Sequence, residues 1–162
     1  MGYHYGDFMR KRKCIMVSGG FDPVHVGHVR MIKEAARKAS LIVVINSDDW
    51  LMRKKGYVFM PWEERAEIIR AIEGVATVVP VDDTDGTVCE ALHTHKPDYF
   101  ANGGDRTANN TPEMQVCAEL GIEMVWNVGG EKIQSSSELV EKQNKEKDTL
   151  SEIKLVDVFS IE

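Results

Sequence analysis

A strand that runs into a glycine-rich turn, and from there into a helix carrying two histidines, constrains this chain more than any other feature. The apolar run Cys14-Ile15-Met16-Val17 reads as a buried strand, and apolar residues from Val29 to Ala39 recur at helical spacing. Between them lies Ser18-Gly19-Gly20-Phe21-Asp22-Pro23-Val24-His25-Val26-Gly27-His28. Such a turn is where a parallel α/β sheet presents backbone N–H groups and a helix dipole to an anion. His25 and His28 fall on neighbouring faces of the first helical turn, and Gly27 leaves the backbone between them bare enough for a phosphate to approach. With His28 at the origin of a helical wheel, Val29, Met31, Ile32, Ala35, Ala36 and Ala39 cluster around it, while Arg30, Lys33, Glu34 and Arg37 lie mostly opposite. One inward histidine would serve core packing. A second histidine a turn back, with glycines before and between, points to phosphate chemistry.

The remainder alternates strand and helix. Strands are expected at Leu41–Ile45, Val75–Val79, Tyr99–Ala101 and Ile122–Trp126. Helices are expected at Pro61–Glu73, Thr87–Thr94, Glu113–Leu120 and from Ser137 to about Lys147. This order predicts an α/β fold, a Rossmann-like, doubly wound parallel sheet of about five strands with helices on both faces. One domain is expected over residues 13–148, with an N-terminal extension at 1–12. The apolar C-terminal extension at 149–162 is expected to add a strand or to pack on the domain or a partner subunit.

Composition excludes several classes of function. A chain of 162 residues with 43% apolar and 28% charged residues suits one globular domain with a real core. Its net charge of −6 opposes a general nucleic-acid surface. No apolar run reaches membrane-spanning length, and the first residues carry no secretory pattern. Cys14, Cys89 and Cys117 are odd in number and far apart, which suggests neither a disulfide framework nor a zinc site. The cytosol is the expected compartment.

Three further segments bear on an anionic ligand. On the wheel of the Pro61–Glu73 helix, Arg65 falls between Ile69 and Ile72, inside the apolar arc with Trp62 and Ala66. A buried arginine needs a partner, and either a buried Asp or a triphosphate would serve; the triphosphate is the favoured candidate. Asn102-Gly103-Gly104-Asp105-Arg106 permits a tight turn at the carboxyl end of a strand, on the binding edge of such a sheet. Ser135-Ser136-Ser137 reads as a helix cap, and its hydroxyls and open N–H groups also suit β- and γ-phosphates. Just before the Arg65 helix, Arg53-Lys54-Lys55-Gly56 reads as a cationic loop.

The motif His-x-Gly-His after Gly-x-Phe-Asp resembles the signature of the cytidylyltransferase-like nucleotidyltransferases. The resemblance continues through Asn46-Ser47-Asp48, Glu63-Glu64-Arg65, Lys96-Pro97-Asp98, Gly103-Gly104-Asp105 and Ser135-Ser136-Ser137, covering about residues 13–142. The motifs are most similar to heptose-phosphate adenylyltransferases and glycerol-3-phosphate cytidylyltransferases. The resemblance implies transfer of a nucleoside monophosphate from a triphosphate to a small phosphorylated metabolite, with release of pyrophosphate. It implies His25, His28, Arg65 and a loop lysine, Lys54 or Lys55, as residues acting on the phosphates. Gly19, Gly20, Phe21, Asp22, Gly27, Gly103, Gly104, Asp105 and the three serines would complete the nucleotide site. A Mg²⁺ ion bridging phosphate oxygens and a homodimer are likewise implied, without a dedicated protein metal site. Many cytidylyltransferases carry Arg-Thr-Glu-Gly just before the hydroxyl triplet. Here Asn127-Val128-Gly129-Gly130-Glu131-Lys132-Ile133-Gln134 stands instead, which favours ATP over CTP. A CTP-dependent enzyme acting on a polyol or amino-alcohol phosphate is the first alternative, and a non-catalytic nucleotide-binding protein the second. A synthetase would need an anticodon-binding domain for which 162 residues leave no room.

Overall fold

The structure, a computed structural model, describes residues 12–103, 111–130 and 135–159. Five strands are present among them: β1 (Cys14–Gly19), β2 (Ser40–Ile45), β3 (Val75–Val79), β4 (Tyr99–Gly103) and β5 (Glu123–Val128). They form one sheet in the order β3-β2-β1-β4-β5, and every pairing is parallel. The helices are α1 (Val26–Lys38), α2 (Asp48–Lys55), α3 (Trp62–Arg70), α4 (Cys89–His95), α5 (Thr111–Leu120) and α6 (Ser136–Phe159).

Alternation along the strands builds two apolar layers. Ile15 and Val17 of β1 face one side and pack with Ile32 and Ala35 of α1 and Ala66 and Ile69 of α3. Met16 faces the other and packs with Ala91 and Leu92 of α4 and Cys117 of α5. Both faces of β1 are therefore covered, which is why its run is apolar throughout rather than alternating. The chain first winds outward through β2 and β3, then crosses back to place β4 on the opposite side of β1. Strand order thus reverses between β1 and β4, and the crevice at their carboxyl ends is the position where such sheets take ligands.

Two expectations require correction. The Arg53-Lys54-Lys55 run is the last turn of α2 and not a loop, with Gly56 closing the helix in the left-handed region at φ 81°. Nor do the described residues of the C-terminal segment, 149–159, add a strand. They continue α6 through Phe159, a helix of 24 residues and about 36 Å. No helix among the described residues is long and apolar enough to cross a membrane.

Candidate functional site

A cleft of about 590 Å³ opens at the reversal point. The end of β1 and its turn (Ser18, Gly19, Gly20, Phe21, Asp22) and Gly103 at the end of β4 lie along it. His28 and Met31 of α1 contribute to its wall, together with Trp50, Leu51, Lys54 and Lys55 of α2. The start of α6 closes it with Ser135, Ser136, Ser137, Glu138 and Glu141. The N-terminus of α6 meets this space, and α1 brings the ring of His28 from its first turn, whose Gly27 and His28 N–H groups are already bonded to His25. A second hollow, of about 780 Å³, lies along α6 alone and shares with the cleft only Glu138 and Glu141.

The two histidines cap α1 reciprocally. His25 is the N-cap, and its Nδ1 accepts from the Gly27 N–H at 3.1 Å; Nδ1 of His28 accepts from the His25 N–H at 3.2 Å. This is the logic of a capping box carried by imidazoles instead of hydroxyl and carboxylate. Because both Nδ1 atoms accept, the neutral rings carry their protons on Nε2, so each is set as an Nε2–H donor. The rings stack at 3.7 Å between centroids, and Phe21 meets His28 edge-on at 4.8 Å. His28 lines the cleft, whereas His25 lies against His28 and across Gly27. A Cβ on Gly27 would come within 2.9 Å of His25 Cε1, so the bare backbone at Gly27 makes room for the His25 ring. Gly19 and Gly20 are used similarly: a Cβ would press Phe21 at 3.2 Å in the first case and Leu51 at 3.0 Å in the second.

Arg65 is fully buried, as its place on the wheel required, but its partners are protein atoms. Nε donates to Met60 O at 2.9 Å, and Nη1 donates to Gly20 O at 2.7 Å and Asn46 O at 2.8 Å. Nη2 pairs with Asp48 Oδ1 at 2.5 Å. The expected triphosphate partner is replaced by three carbonyls and a half-exposed aspartate. Arg65 thereby ties the ends of β1 and β2 to the start of α3. The Asn46-Ser47-Asp48 motif serves the same brace: Ser47 Oγ caps α2 by accepting from the Trp50 N–H at 3.0 Å. Buried Asp83 accepts from Asn46 Nδ2, Ser47 N–H and Ser47 Oγ at 2.6–3.1 Å.

Asp22 is buried and accepts from the Phe59 and Met60 N–H groups at 2.7 and 2.6 Å. Lys55 Nζ lies 3.3 Å from its carboxylate and donates to its carbonyl at 2.5 Å. Asp22 and Lys55 therefore clamp the glycine turn to the segment before α3. Lys54 Nζ lies 4.5 Å from the centre of the Trp50 ring. The serine triplet is divided in use: Ser135 Oγ caps α6 by accepting from Glu138 N–H at 3.1 Å, and Ser136 Oγ donates to Pro23 O at 2.7 Å. Ser137 lines the cleft. Gly104 and Asp105 lie outside the described residues.

Trp50, Leu51, Met31, Glu138 and Glu141 are wall residues that sequence reasoning did not single out. The start signal of α2, Ser47 followed by Asp48 and Asp49, was the clue that would have placed Trp50 and Leu51 on a helix. Burial, then the carboxylates of Asp22 and Glu141, raise the Tyr57 phenol above its ordinary value. Outside the cleft, burial pushes the Cys117 thiol up to about 11 and raises that of Cys89. Among the described residues no three His, Cys, Asp or Glu side chains are grouped to hold a metal ion.

A parallel sheet whose crossover crevice joins a glycine turn, a paired-histidine helix start and cationic side chains defines an α/β domain built for nucleotide phosphates. Residues 16–156 match the cytidylyltransferase-like family model, and the chain belongs to that family of nucleotidyltransferases. It is 36% identical over 121 residues to the bifunctional protein HldE of Gluconobacter oxydans, and 35% identical over 124 residues to that of Syntrophotalea carbinolica. These matches cover 73% and 75% of this chain but only 23% of each relative, so the chain spans about a quarter of their length. The fold is that of the lipopolysaccharide core biosynthesis protein of Thermoplasma volcanium, with a TM-score of 0.62 at 23% identity, covering 72% of this chain and 97% of that one.

Proposed function

We propose that this protein transfers a nucleoside monophosphate from a nucleoside triphosphate, ATP in preference to CTP, to a small phosphorylated metabolite such as a sugar phosphate, releasing pyrophosphate. The observation that carries this reading is the convergence of His28 from the start of α1, Lys54, Lys55 and the N-terminus of α6 on one cleft at the β1/β4 crossover. The resemblance of this chain's motifs to those of heptose-phosphate adenylyltransferases, and the segment 127–134 before the serine triplet, favour ATP and a sugar phosphate.

The chemistry follows from charge. The attacking phosphate monoester is already anionic, so the chain need not remove a proton from it. Positioning the two phosphates in line and neutralising charge on the departing pyrophosphate supply the rate. The Nε2–H of His28 donates to the phosphate chain, the dipole of α1 adds to its field, and His25 holds His28 in register through the stack and the shared cap. Lys54 and the α6 N-terminus offset the charge of the leaving group. Arg65 and the Asp22–Lys55 clamp act on the shape of the cleft and are positioning groups. The carboxylate of Asp22 is taken up by two N–H groups and Lys55, while those of Glu138 and Glu141 line the cleft. This donor set fits a Mg²⁺ ion held chiefly by triphosphate oxygens and water. Such an ion would screen the charge of the triphosphate.

The test is pyrophosphate release by the purified chain with Mg²⁺, ATP or CTP, and a panel of sugar phosphates, glycerol 3-phosphate and phosphoethanolamine. Release above background with ATP and a sugar phosphate is expected. Release with none of the pairs would overturn the reading.

A further inference from the structure

We propose that Trp50 is a specificity-determining residue for the phosphorylated acceptor: its indole is the platform on which the acceptor's carbon skeleton lies. The inference rests on the nucleotidyl-transfer reading above. Trp50 stands in the first turn of α2, immediately beyond the carboxyl end of β2, and lines the cleft. A Cβ on Gly20 would stand 3.5 Å from Trp50 Cζ3, ordinary contact distance, so the indole lies alongside the β1 turn. The ring is only partly buried and is the one indole in the wall, beside Phe21, Met31 and Leu51.

The position of Trp50 assigns it to the second substrate and not to the nucleotide. In a sheet of this kind the nucleotide takes the crevice where strand order reverses, between β1 and β4, which here ends at Gly19 and Gly103. Trp50 lies on the other side of β1, over the end of β2. In-line transfer requires the acceptor phosphate to approach the α-phosphorus from the side opposite the departing pyrophosphate. The α2 wall offers what such an acceptor needs. Its indole presents an apolar face beside the β1 turn, and Lys54 Nζ, 4.5 Å from the indole centre, steadies the ring through a cation–π contact. Glu138 and Glu141 on α6 add carboxylate acceptors for hydroxyl groups in the same cleft. A flat, rigid ring with a polar rim orients a ligand at little entropic cost, and a sugar ring with an exposed C–H face matches it better than a short flexible chain.

The experiment compares Trp50→Ala and Trp50→Phe with the wild-type chain. Steady-state pyrophosphate release is measured with ATP, Mg²⁺ and the best hexose phosphate of the panel, and thermal unfolding checks that each variant folds. Trp50→Ala is expected to raise the acceptor KM roughly tenfold while the ATP KM stays within about twofold, and Trp50→Phe is expected to recover most of the loss. Adding the hexose phosphate to wild-type chain holding a non-hydrolysable ATP analogue is expected to change tryptophan fluorescence, and the Trp50→Phe variant is expected to lose that change. A rise in the ATP KM alone would make Trp50 part of the nucleotide site and overturn the proposal. Unchanged acceptor KM in a folded Trp50→Ala variant would do the same while leaving nucleotidyl transfer intact. Absence of release by the wild-type chain would instead remove the reading on which the proposal rests.

Discussion

Replacing Arg65 with methionine keeps the length of the side chain and removes every donor, which separates a brace from a ligand. The guanidinium satisfies the carbonyls of Gly20, Asn46 and Met60 and pairs with Asp48. Each buried acceptor left unpaired costs about 1–3 kcal/mol. Asp48 is half-exposed and regains water, so its share is below about 1 kcal/mol. Partial relaxation, and the apolar contacts methionine makes, offset some of this, leaving an expected loss of about 3–5 kcal/mol. For a chain of this size each kcal/mol lowers Tm by about 2–4 °C, so the variant should melt roughly 6–20 °C below wild type. Circular dichroism melts and urea titration measure this directly. Arg65→Lys keeps the charge but not the fork, and should fall between the two. If Arg65→Met melts within about 2 °C of wild type yet no longer binds ATP, the guanidinium is a phosphate ligand and the brace argument is refuted.

Other consequences are narrower. Gly27→Ala would drive a methyl to 2.9 Å from His25 Cε1; kcat should fall at least about tenfold while Tm changes little, because alanine otherwise favours the helix. Lys54→Ala should raise the ATP KM without altering Tm. Lys55→Ala should lower Tm as well, since it leaves the buried Asp22 carboxylate without its cation. The Cys117 thiol is raised in the folded chain, so its proton is held more tightly there than in the unfolded chain. Its stabilisation is complete below about pH 9 and is lost as pH rises towards 11. The urea midpoint should fall across that range, and less steeply in Cys117→Ala.

The sheet was legible because each strand is a short apolar run set between helical spacings, and Val75–Val79 emerges with the bounds its residues suggest. Helix α2 was not. It has eight residues, and its cationic last turn resembles a solvated loop unless the Ser47-Asp48-Asp49 start is given weight. The length of α6 was hidden because its charges and apolar residues do not segregate to faces, so the pattern suggested a helix followed by something else. Burial of Arg65 could be deduced from its neighbours on the wheel. Its partners could not, since three are backbone carbonyls that carry no side-chain signature and come from separate segments. The reciprocal imidazole cap was equally hidden: helix starts are recognised by hydroxyls and carboxylates, and a histidine there suggests core packing or phosphate chemistry before it suggests a cap.

The most direct test of the central claim follows the α-phosphorus. With ATP labelled at the α-phosphate, Mg²⁺ and an accepted sugar phosphate, the label should move into a sugar-linked diphosphate, unlabelled pyrophosphate should appear in equal amount, and a folded His28→Ala variant should lose both. Label recovered in ADP, or label transfer undiminished in His28→Ala, would contradict nucleotidyl transfer in this cleft.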